Sequence, residues 1–114
     1  MKSTEAVKAL AALAQESRLA IFRLLVEKGP NGLTAGKIAE SLHILPATLS
    51  FHLKELSAAG LLESRTEGRF VIYTTKFDRM NDLVGFLTAN CCGGNPCTPV
   101  AVCRPPKRVA KVKA

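Results

Sequence analysis

Four cysteines, Cys91, Cys92, Cys97 and Cys103, close a chain whose first 90 residues contain none. Cys91 and Cys92 are adjacent. A disulfide wants its two Cα atoms farther apart than one trans peptide allows, so a bridge between these neighbours would close a strained small ring. Two adjacent thiolates with a third close behind can instead converge on one soft centre. Thiolates select thiophilic ions over hard cations. The cluster therefore reads as a soft-metal or metalloid site appended to a small basic domain.

At 114 residues the chain has room for one core, and its 47% hydrophobic content fits a globular fold. No apolar run reaches membrane-span length, and the opening MKSTEAVKAL lacks a secretory apolar region. The expectation is a cytoplasmic protein without a membrane partner, in a compartment where clustered thiols stay reduced and bind metals or do redox work. The formal net charge of +7 is uneven. Arg104, Lys107, Arg108, Lys111 and Lys113 face no acid, whereas residues 1–103 carry 11 basic and 9 acidic groups. The basic end reads as a solvated tail that could strengthen nucleic-acid binding without sequence preference.

The elements that must position these groups follow from periodicity. Val7, Leu10, Ala11, Leu13 and Ala14 predict a first amphipathic helix. Ser17 is the expected N-cap of a second, Arg18–Lys28, which Gly29-Pro30-Asn31-Gly32 stops. Thr34 should cap a short helix over Ala35–Leu42, followed by a turn at His43–Leu45. Pro46 should open a helix running to Ala59 and ended by Gly60, with Leu49, Leu53 and Leu56 as its buried stripe. Leu61–Thr66 and Arg69–Thr75, around Glu67-Gly68, predict a β-hairpin. Phe77–Asn90 predicts a last helix with Met80, Leu83, Val84 and Leu87 on one face. The fold class is mainly α with a small β-hairpin wing, organised as residues 1–90 and a cysteine-bearing sensor segment with a basic tail at 91–114.

Two short helices, a tight turn and a hairpin make a winged helix-turn-helix. The second helix of such a pair can lie in the DNA major groove with its N-terminal residues at base edges. That end offers Ala47, Thr48, Ser50 and Phe51, with His52 and Lys54 following. Small hydroxyl side chains can reach bases and phosphates, and an apolar one can meet a thymine methyl. His52 could instead cap a neighbouring element. Arg65 and Arg69 on the hairpin are placed for phosphates or the minor groove. The expected partner is double-stranded operator DNA.

Segments 12–25 (ALAQESRLAIFRLL), 48–56 (TLSFHLKEL) with Ala59-Gly60-Leu61-Leu62, and 65–73 (RTEGRFVIY) together resemble the ArsR/SmtB metalloregulatory repressors. The resemblance covers about residues 5–90. It implies a homodimer, with the first and last helices at the interface, that holds an operator until an inducer binds. The family's arsenic site on the first helix of the helix-turn-helix has no counterpart, because Ala35–Leu42 contains no cysteine. Its zinc-type site on the last helix needs histidines that Phe77–Asn90 lacks. Cys91, Cys92 and Cys97 resemble the C-terminal site of an arsenic-responsive subgroup, with Cys103 the alternative third ligand.

Trivalent arsenic or antimony takes three sulfurs in a pyramid, whereas structural zinc wants four tetrahedral ligands. The implied ligand is thus trivalent arsenic or antimony, with no organic cofactor. Two other readings stay open on the same scaffold: another soft metal, and thiol oxidation. A thiol oxidoreductase is the rival of a different class, but the chain has neither a Gly-rich dinucleotide loop nor a second redox motif. The expectation is therefore a regulator, not an enzyme.

Overall fold

The computed structural model describes residues 1–94, in the order α1 (Ser3–Leu13), α2 (Glu16–Lys28), a 3₁₀ turn (Gly29–Asn31), β1 (Leu33–Thr34), α3 (Ala35–Leu42), α4 (Pro46–Ala58), β2 (Leu62–Glu67), β3 (Phe70–Thr75), α5 (Phe77–Thr88) and a short turn at Cys91–Gly94. Cys97, Cys103 and the basic tail lie outside the described residues.

Helix α1 turns alanines inward: Ala6, Ala9 and Ala12 are buried, while Val7 and Leu10 are exposed. Small side chains let the helix backbone approach α2 and α4 closely, and they leave the larger apolar residues pointing away from this core. At its start the Glu5 carboxylate accepts from the Lys2 backbone N–H at 3.0 Å. That bond, aided by the nearby Arg79 and Lys2 charges and the N-terminal amine, holds the Glu5 carboxyl below its ordinary 4.5.

Helix α2 starts two residues before the expected Arg18. Its cap is Gln15, whose side-chain oxygen accepts from the Arg18 N–H at 2.9 Å. Ser17 lies inside the first turn rather than at the cap. An extended Gln15 backbone can reach the third free N–H with a longer side chain than the usual capping residues use.

Strand β1 is a two-residue element with no sequence precursor, since two residues cannot display an alternation. It joins the hairpin in a three-stranded antiparallel sheet of order β1-β3-β2, with Leu33 opposite Tyr73 and Thr34 opposite Ile72. Gly32 permits the pairing. Its φ is +65°, and a Cβ there would strike the Tyr73 carbonyl, Thr74 Cγ2 and Ile72 Cγ2. Thr34 also caps α3 as expected, its Oγ1 accepting from the Lys37 N–H at 3.2 Å.

Helix α3 ends at His43, which takes the left-handed conformation with φ 56°. Leu45 and Pro46 then open α4, the proline occupying a position whose N–H would have no helical partner. Ile21, Leu25, Ile38, Leu49, Leu56 and Leu61 are almost fully inaccessible and form the centre of the core. Residue pairing puts Glu67 opposite Phe70, so the hairpin loop is Gly68-Arg69. Gly68 has φ +65° at the first loop position, the geometry that the twist of a two-residue hairpin favours. Arg69 therefore sits in the turn, not at the head of the second strand.

Helix α5 stops two residues before the expected Asn90. Of its predicted apolar face, Leu83 is buried, Met80 and Val84 are partly covered, and Leu87 is 58% exposed. Among the described residues no helix is long and apolar enough to cross a membrane.

Candidate nucleic-acid interface

Helix α4 divides cleanly. Leu49, His52, Leu53 and Leu56 are buried and fix the helix on the core. Ala47, Thr48, Ser50, Phe51 and Lys54 are exposed. Phe51 is 55% exposed, although an aromatic residue of this size would ordinarily be drawn inward. Thr48 and Ser50 flank the buried Leu49, so both hydroxyls stand at the free N-terminal end of the helix. Of the six α4 residues named from the sequence, Ala47, Thr48, Ser50 and Phe51 are exposed in the first two turns and Lys54 is exposed farther along the helix.

His52 does not. It is 7% exposed, and its Nδ1 lies 3.4 Å from Nη1 of Arg18. Arg18 in turn donates through Nε to the Ala12 carbonyl at 2.7 Å. The imidazole therefore belongs to the joint between α4 and α2, with the Phe51 ring tilted against it at a centroid distance of 5.6 Å. Helical spacing explains the discrepancy: position 52 follows Leu49 by three residues and precedes Leu56 by four, so it shares their stripe. The sequence placed Arg18 near a helix start but held no local signal that it would meet residue 52.

The wing carries both expected arginines. Arg69 is exposed in the hairpin loop. Arg65 is drawn into the protein's own contacts: Nε donates to Glu67 Oε2 at 2.6 Å, Nη1 to the Pro30 carbonyl at 3.1 Å and Nη2 to the Asn31 carbonyl at 3.2 Å. Phe70, 60% exposed, and Val71, 43% exposed, add an apolar surface beside Arg69 that the sequence pattern did not single out. Its signal was present, since an alternating strand that outruns the core must expose both faces.

Cys91 and Cys92 follow α5 and are exposed. The backbone kinks there: Asn90, Cys92 and Gly93 all have positive φ, at 57°, 55° and 68°. Among the described residues no group of three His, Cys, Asp or Glu side chains is arranged to hold a metal ion. The expected trio includes Cys97, which lies outside them.

A helix-turn-helix domain family model matches residues 13–65. The HTH-type transcriptional regulator YceK of Bacillus subtilis, itself uncharacterized, is 39% identical over 77 residues, covering 67% of this chain and 76% of the relative. The transcriptional activator HlyU of Vibrio cholerae is 32% identical over 93 residues, covering 82% of this chain and 83% of HlyU.

Solved structures agree. HlyU from Vibrio cholerae superposes with a TM-score of 0.63 at 32% identity over 79% of this chain and 95% of that one. A form described as reduced HlyU gives 0.61 at 32% identity over 79% and 92%. An ArsR-like transcriptional regulator from Rhodococcus gives 0.70 at 25% identity over 95% and 89%. A homodimeric winged helix-turn-helix DNA-binding domain from Mycobacterium bovis shares the fold at 0.61 and 24% identity, over 84% and 89%.

Proposed function

This chain belongs to the winged helix-turn-helix transcriptional regulators of the ArsR/HlyU type, and from that premise we propose that it is a homodimeric repressor whose operator binding is controlled by the thiols after α5. The observation that carries the DNA-binding half is the exposed N-terminal end of α4. Thr48, Ser50 and Phe51 stand free there while Leu49, Leu53 and Leu56 anchor the helix from behind. A rigid helix with a bare N-terminal end is what a major groove accepts. The exposed Val7 and Leu10 on α1, and Phe86 and Leu87 on α5, supply apolar surface for a second copy.

The inducer we propose is trivalent arsenic or antimony held by Cys91, Cys92 and Cys97. The donor chemistry supports it: two adjacent soft sulfurs, both on exposed residues, directly follow a helix with an uncovered apolar face. Drawing Cys91, Cys92 and Cys97 onto one ion at the end of α5 would change how that helix packs and so the separation of the two α4 helices, which must match one DNA turn. A coupling of about 1–3 kcal/mol changes operator affinity about 5- to 150-fold.

A second reading, a thiol-oxidation switch on the same segment, draws on the likeness to HlyU, one of whose solved forms is described as reduced. The two readings compete for the same thiols, because a sulfur in a disulfide has no thiolate to offer arsenic. Joining two thiols hands two electrons and two protons to an oxidant, and reduction reverses the change. One experiment separates them: a gel shift of the DNA upstream of the chain's own gene, with fully reduced protein. Arsenite, antimonite, zinc, cadmium and hydrogen peroxide are titrated in turn. Release by arsenite and antimonite at low concentration supports the first reading, and release by peroxide alone supports the second. No release by any of them refutes thiol control.

A further inference from the structure

The two arginines of the wing stand in different surroundings. Every residue from Glu63 to Val71 is exposed, so the outer part of the hairpin has no core of its own to fix its direction. Arg69 lies in the loop at the tip. Arg65 lies in β2, opposite Ile72 of β3. Strand β2 is one edge of the sheet and the two-residue β1 is the other, with β3 between them. The Arg65 guanidinium nevertheless reaches the carbonyls of Pro30 and Asn31, in the turn that leads through Gly32 into β1. It spans the sheet. Its third partner, Glu67 two residues farther along β2, sets a carboxylate against its charge.

We propose that Arg65 is a positioning residue: its planar fork sets the angle of the wing so that Arg69 meets a backbone phosphate, and it is not itself the phosphate ligand. This rests on the DNA-binding reading above. A guanidinium presents donors in a rigid plane, which suits two carbonyls and a carboxylate at once. A lysine ammonium on a flexible stem is a point charge and cannot hold all three directions. The positive charge left for DNA at the wing tip is then that of Arg69.

The test uses the full chain and a duplex that the wild-type protein selects from a random-sequence pool, with affinity measured across a series of salt concentrations. Each neutralised phosphate contributes about 0.9 to the slope of log affinity against log salt. Arg69→Ala should lower the slope by about one phosphate. Arg65→Ala should lower it by the same amount, because Arg69 is no longer delivered, and the double variant should fall no further. Arg65→Lys, which keeps the charge and removes the fork, should behave as Arg65→Ala. A double variant whose slope falls by two phosphates, an Arg65→Lys variant indistinguishable from wild type, or an Arg65→Ala variant with unchanged binding each overturns the proposal.

A second arm needs no DNA. Amide hydrogen exchange in residues 62–75 should quicken in both Arg65 variants and not in Arg69→Ala, with the midpoint of global unfolding unchanged. Unaltered exchange in the wing overturns the proposal even if DNA binding falls. If the wild-type protein selects no duplex, the DNA-binding reading fails, and the exchange arm still decides whether Arg65 braces the wing.

Discussion

Arg18 Nη1 lies 3.4 Å from His52 Nδ1, thirty-four residues farther along the chain. A guanidinium is always a donor, so this pairing requires the imidazole to accept at Nδ1 and carry its proton at Nε2. Because Arg18 Nε is bound to the Ala12 carbonyl at 2.7 Å, one side chain joins the end of α1, the start of α2 and the middle of α4. The helix proposed to read DNA is thereby tied to α1, one of the two helices proposed to meet a second copy.

Removing that joint should cost stability before it costs recognition. Arg18→Ala is expected to destabilise the fold by ~1.5–3 kcal/mol, the range for a charge-assisted hydrogen bond to a partly buried acceptor. Urea unfolding measures it, with the slope on denaturant unchanged. A loss under ~0.5 kcal/mol would show that the Arg18–His52 pair carries no weight.

Substitutions at the free end of α4 should do the reverse. Thr48→Ala, Ser50→Ala and Phe51→Ala are expected to leave unfolding free energy within ~0.5 kcal/mol of wild type, since the residues are exposed. Discrimination between the selected duplex and random DNA should fall by ~1–3 kcal/mol for each base edge that is no longer read. Equal binding of both duplexes by all three variants and wild type would place the reading surface elsewhere.

The contrast between these two sets of residues shows what the sequence could and could not convey. The hydrophobic stripe of α4, the turn before it, the Thr34 cap and the hairpin are local patterns, and they were legible within a residue or two. His52 occupies the same stripe, so its burial was readable from spacing, but the partner that satisfies it was not, because nothing local links residues 18 and 52. Strand β1 was too short to show a period. Arg65 illustrates the limit best: its residue type and place on the hairpin point to phosphate, and only the folded sheet shows that two carbonyls at Pro30 and Asn31 hold it. The adjacency of Cys91 and Cys92 was plain from the start, and the third thiol proposed to join them, Cys97, lies outside the described residues.

Dimerisation should depend on the exposed apolar residues of the outer helices. Leu87→Glu or Val7→Glu, 58% and 64% exposed in the single chain, should give a monomer in sedimentation equilibrium at micromolar concentration, with helical content retained. DNA affinity should fall with it, because two half-sites are no longer bound together. A dimer that survives both substitutions would move the interface away from α1 and α5.

The cysteine substitutions should separate the two inducer readings. Cys91→Ser and Cys97→Ser should abolish release by arsenite while leaving DNA binding intact, and Cys103→Ser should be nearly silent, because closing a longer loop orders more chain. Cys92→Ser should likewise abolish release by arsenite, whereas release by peroxide should survive the loss of either member of the pair if the other can form the disulfide. X-ray absorption of the arsenic complex should show three sulfurs around the metalloid. Release by arsenite from a chain lacking all four cysteines would exclude this segment as the sensor.

Gly32→Ala should be among the most damaging small changes available. The added methyl would meet the Tyr73 carbonyl and two β3 side chains, at a backbone φ of +65° that alanine adopts at a cost. A loss of ~1–3 kcal/mol from the backbone alone is expected. Thermal unfolding reads it, and an unshifted midpoint would mean that β1 contributes nothing to the sheet.

The hairpin that carries Arg69 is closed by two residues, with Glu67 directly opposite Phe70. Side chains alternate between faces at every step along a strand, so slipping one strand by a single residue turns all of its side chains over. Lineages that lengthen or shorten this wing should therefore do so in matched pairs, one residue from each strand. An unpaired insertion has to be absorbed in the loop or as a bulge. Even increments of wing length across such regulators would be the trace that this register leaves in evolution.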